Sequence, residues 1–101
     1  MKKVILIVLI IASSLSANKL DGKDVFETYC WGCHHQTAVA FGPSFSEIAS
    51  KRTHKEIQAY IISPESMYES FGYKRTVMTK LKLNSKELEA IADYILLYKG
   101  K

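Results

Sequence analysis

The sequence predicts an all-α fold. Three observations carry that prediction. No stretch alternates apolar and polar residues as a half-buried strand does. Asp21, Thr53 and Asn84 each stand three residues before an acid, the arrangement of a helix N-terminus. After the last of them, Leu88, Ile91, Ala92 and Ile95 recur at helical spacing.

The elements follow in order. The first helix runs from Asp21 to about Tyr29, with Asp24 at its positive end and Val25, Phe26 and Tyr29 as its apolar face. A short turn covers Ser44 to Ser50. Thr53-His54-Lys55-Glu56 reads as a capping box, and Ile57, Tyr60 and Ile61 follow on one helical face. Ser63-Pro64 stops that helix. Asn84-Ser85-Lys86-Glu87 opens the last helix. Residues 31–43 and 63–83 are left as connecting loops. Few large aliphatics lie between Cys33 and Ile57, so something other than side chains must fill the centre of so small a domain.

The first residues read differently. Lys2 and Lys3 precede an unbroken apolar run, Val4 to Ala12, and a small, mostly polar stretch, Ser13 to Ala17. This is the layout of a secretory signal peptide, cleaved near Ser16 or Ala17, with an uncleaved anchor as the alternative. The run is shorter than the roughly 20 residues of a membrane span. The expected organisation is a signal peptide, 1–17, and one domain, 18–101, exported to the periplasm. Lys2 and Lys3 account for two of the 14 basic side chains, so the domain carries 12 against 10 acidic ones. That near balance, with no dense Lys/Arg stripe, excludes a nucleic-acid-binding footprint.

The only two cysteines lie in Cys30-Trp31-Gly32-Cys33-His34. C-x-x-C-H is the pattern of covalent haem attachment. Two thiols on one turn reach the two vinyl groups of a porphyrin, and the adjacent His34 is placed to ligate the iron. Trp31 and Gly32 are spacer. Rival chemistries fit less well. A zinc site would have to draw on His34, His35 and His54 to complete one cysteine pair. A thioredoxin-like dithiol needs strands. A disulfide inside C-x-x-C closes too small a loop to stabilise much.

Beyond that motif, "GKDVFETYCWGCH", "FGPSF" and "VMTKLKLNSKELEAIADYI" occur in the order seen in small class I c-type cytochromes, and the chain resembles that family across nearly all of residues 18–101. The resemblance implies four short helices wrapped around one covalently attached haem c. It implies thioethers at Cys30 and Cys33, His34 as proximal ligand, and the Pro43 carbonyl as hydrogen-bond partner of His34. Gly42 would let the loop pass close to the haem, and Gly22 and Phe26 would pack on Tyr94. The sixth ligand is Met78 by the family's spacing, with Met67 or a histidine, His35 or His54, as alternatives. One departure stands out: the family usually carries proline after this methionine, and here Thr79 follows.

A His/Met-ligated haem implies a one-electron carrier rather than an enzyme. Its partners would be a quinol-oxidising complex upstream and a terminal oxidase or periplasmic reductase downstream, met as a monomer or in weak complexes. Lys74, Arg75, Lys80 and Lys82 bracket Met78 and form either a basic docking rim or a solvated loop. The competing expectations are a haem enzyme or gas sensor with a labile or open sixth position, or a dedicated subunit of a periplasmic oxidoreductase.

Overall fold

The computed structural model describes residues 21–101. The expected signal peptide lies outside the described residues. Among these the chain is helical, with no strand, and no helix is long and apolar enough to cross a membrane.

Helix α1, Gly22–Val25, is capped by Asp21, whose Oδ1 accepts from Lys23 N at 3.0 Å. It continues as a π-helical turn, Phe26–Cys30, in which Trp31 N donates to Phe26 O at 3.0 Å. The wider turn changes the expected apolar face. Val25, Phe26 and Cys30 are buried, whereas Tyr29 is 42% exposed and donates its hydroxyl to Glu87 at 3.1 Å. Each residue of an i→i+5 turn advances less around the axis than in an α-helix, so the buried stripe passes to Cys30.

Helix α2, Phe45–Lys51, is more than the single turn expected at 44–50; Ser44 caps it by accepting from Glu47 N at 3.1 Å. Helix α3, His54–Ile62, has the predicted capping box, with Thr53 and Glu56 each bonding the other's backbone N–H. Helix α4, Pro64–Met67, falls in a segment read as loop. Pro64 does end α3, but it also occupies the first turn of α4, where its fixed φ and missing N–H cost nothing. Helix α5, Ser85–Leu96, begins at the predicted capping box of Asn84 and Glu87.

Helices α1, α2 and α3 all pack against α5. Its inner face places Ile91, Ala92 and Ile95 against Val25, Phe26, Phe45, Ala49, Ile57 and Ile61. Phe45 and Ile91 are essentially inaccessible, and each such side chain contributes about 1.5–3 kcal/mol by leaving water. The α1–α5 crossing is close because Gly22 has no side chain: a Cβ there would stand 2.5 Å from Tyr94 Cβ. Phe26 stacks on Tyr94 at 5.7 Å between ring centroids and meets Phe45 edge-on at 5.2 Å. The packing expected of Gly22, Phe26 and Tyr94 is therefore present.

A haem cleft built on the Cys30–His34 turn

The first helix delivers Cys30 to the inner wall, and the chain then turns on that residue's carbonyl. Cys30 O accepts from Cys33 N at 3.1 Å and from His34 N at 3.0 Å. Both cysteines are free thiols, Cys30 buried and Cys33 exposed. Burial pushes the Cys30 thiol up to about 11, with Cys33 adding a smaller repulsion. The loop that follows is tied back at Gly42 N–Cys33 O, 2.8 Å, and Phe45 N–His35 O, 3.0 Å.

This return brings the Pro43 carbonyl to His34 Nδ1, at 2.8 Å. A carbonyl only accepts, so Nδ1 carries the proton and Nε2 keeps its lone pair free for a metal. Gly42 lies against the imidazole. A Cβ at this position would stand 2.8 Å from His34 Nδ1 and closer still to Cε1. It is the imidazole that needs the glycine. Phe45 then flanks the ring, with centroids 5.6 Å apart.

Cys30, Cys33, His34 and Met78 line one cleft of about 300 Å³. Its walls are largely apolar, with Ile48, Ile57, Ile61 and Leu81 among them. Met78 also packs against the main core. Met67, His35 and His54 do not line the cleft. His35 Nδ1 accepts from Thr37 N and Ala38 N, both at 3.1 Å. His54 Nε2 bonds Asp93 Oδ1 at 2.9 Å and ties the start of α3 to α5.

The lining also includes Arg52, Tyr60 and Phe71, none of them read as a site residue from the sequence. Arg52 follows α2. Its Nη2 donates to Phe71 O at 2.6 Å, and its guanidinium lies 4.1 Å from the Phe71 ring centroid. Its Nε is buried without a partner, the one such side-chain atom among the described residues. No sequence motif marks it.

The cytochrome c family model matches residues 20–98, and the chain belongs to that family. No curated protein and no solved structure gives a significant match. Membership makes the protein a haem-binding electron carrier with haem c attached covalently through cysteine. The residues present fit that group. A thiol pair and a metal-ready imidazole lie in one apolar cleft, and the buried, unpartnered Arg52 Nε is a donor that a carboxylate of the group would satisfy.

Proposed function

We propose that the protein is an exported carrier that moves single electrons between respiratory complexes, with haem c on Cys30 and Cys33 and with His34 and Met78 as axial ligands. One observation carries this reading: the cleft that holds both thiols and the Pro43-bonded imidazole also holds Met78. When bound, the haem iron supplies a one-electron Fe(III)/Fe(II) couple.

The chain's own residues do the rest. Cys30 and Cys33 would hold the haem through thioether bonds to its two vinyl groups. Pro43 O fixes the orientation of the His34 ring. The Met78 thioether, a soft uncharged donor, would favour the reduced iron relative to a second nitrogen ligand. With His34 and Met78 both on the iron, no position would remain for oxygen or a substrate, and transfer would be outer-sphere. Arg52 would pair with a haem carboxylate. Lys74, Arg75, Lys80 and Lys82 are exposed on the Met78 segment, and none pairs with a carboxylate among the described residues. They steer an acidic face of a partner, a quinol-oxidising complex on the donor side and a terminal oxidase or periplasmic reductase on the acceptor side. Small, salt-sensitive interfaces suit such encounters.

The visible spectrum of the haem-loaded protein tests the ligand set. A low-spin haem with a sulfur-to-iron charge-transfer band, indifferent to carbon monoxide, is expected. Met78→Ala abolishes the band and Met67→Ala keeps it. A high-spin haem that binds carbon monoxide at once, or loss of the band in Met67→Ala, overturns the assignment.

A further inference from the structure

Outside the cleft, α3 and α5 also meet through polar side chains. His54 is the first residue of α3, and the Thr53–Glu56 capping box fixes its place. Glu89 and Asp93 stand one turn apart on α5, so their carboxylates share a face. His54 Nε2 lies 2.9 Å from Asp93 Oδ1 and 3.5 Å from Glu89 Oε1. One ligand-type atom from each of the three residues lies within 4.8 Å of the other two. The second oxygen of Glu89, Oε2, accepts from Gln58 Nε2 at 3.0 Å, which leaves Oε1 facing His54.

Geometry and charge set this cluster apart from an ordinary surface ion pair. Ligand atoms about 2.0–2.1 Å from a tetrahedral zinc ion stand about 3.4 Å from one another. The two spacings around Nε2 fall on either side of that value. Among the described residues neither carboxylate pairs with a lysine or arginine. With a neutral imidazole the cluster carries two negative charges, and a divalent cation cancels both. The side chains of His54, Glu89 and Asp93 are 28%, 63% and 67% exposed, so an ion reaches them without any movement of the helices.

We propose that His54, Glu89 and Asp93 form a site for a divalent transition cation of the zinc class, which clamps α3 to α5. The imidazole nitrogen selects zinc, copper or nickel over magnesium and calcium, which prefer oxygen ligands alone. Gln58 orients Glu89 from outside the coordination sphere. None of these residues lines the haem cleft, so the site stands whether or not Met78 ligates the iron. Helix α3 brings Ile57 and Ile61 to the cleft, and the clamp holds that wall against α5.

Calorimetric titration of zinc chloride into the haem-loaded protein is expected to show one ion bound per molecule, with magnesium chloride giving no binding heat at the same concentrations. His54→Gln, Glu89→Gln and Asp93→Asn each weaken zinc at least about ten-fold, since the loss of an outer partner alone costs that much. Gln58→Ala weakens it about ten-fold. His35→Gln, which alters the other histidine outside the cleft, leaves the affinity unchanged. Zinc raises the guanidinium midpoint of the wild type and not that of Asp93→Asn, whose zinc-free unfolding curve checks that it folds. Absence of zinc binding in the wild type overturns the proposal. So does zinc affinity undiminished in the three ligand variants, affinity lost in His35→Gln, or magnesium bound as tightly as zinc.

Discussion

Gly42 illustrates how one hydrogen atom sets the chemistry of the site. Its missing side chain leaves room for the His34 ring, and the next residue's carbonyl then orients that ring through Nδ1. Gly42→Ala forces a Cβ into the imidazole, and the ring cannot yield without giving up its bond to Pro43. The expected cost is about 1–3 kcal/mol of stability in the haem-loaded protein, read from a guanidinium titration; an unchanged midpoint would contradict the packing described. At this scale much of the site was legible. Cys30, Cys33 and His34 fall within five consecutive residues, and their chemistry is set by spacing alone. Pro43 and Met78 came from the resemblance; in the structure the Pro43 carbonyl is bonded to His34 and Met78 lines the cleft. Arg52 was invisible because an arginine after a short helix looks like any solvated cation. Only the fold shows that its Nε is enclosed.

Elements were legible wherever a local hydrogen bond announces them. The boxes at Thr53 and Asn84 are bonds between residues three apart, so the sequence contains both partners. Ser44 and Glu47 carry the same spacing, and they open a full α2 where only a turn was expected. The π turn had no such signal, because it answers to Phe26 and Cys30 both facing inward. Glu56 gives the box at α3 a pH dependence. The Thr53 backbone N–H, then its side chain, holds the Glu56 carboxyl below its usual value. A depressed carboxylate contributes fully above its unfolded pKa, about 4.3, and its contribution disappears as pH falls through the lower folded value. Thermal midpoints of wild type are therefore expected to fall more steeply than those of Glu56→Gln on acidification below about pH 4. Parallel curves would show that the box is not held by the charge.

At the scale of the whole molecule, the balance of charge hides an uneven distribution. Four exposed cations share the segment that carries Met78, while the His54 cluster with Glu89 and Asp93 bridges α3 and α5 outside the cleft. If the basic segment meets partners as proposed, electron transfer to the host's respiratory membranes slows as ionic strength rises, because screening shortens the reach of steering to about 8 Å at physiological salt. A rate flat in salt would remove the docking role and leave a solvated loop. The cleft itself resolves the shortage of aliphatics noted in the middle of the chain: α2 and α3 turn apolar residues toward a space lined by both cysteines rather than toward one another.

The sequence by itself determined the helical class, the two capping boxes and the Cys30–His34 attachment turn, because each depends on atoms that are near neighbours along the chain. Only the tertiary structure decided that Met78 rather than Met67 shares the cleft, that Gly42 lies against the imidazole, and that Tyr60, Thr76 and Arg52 line the same cleft. Those relations arise between segments far apart in sequence, and they exist only once α1, α2 and α3 have closed on α5.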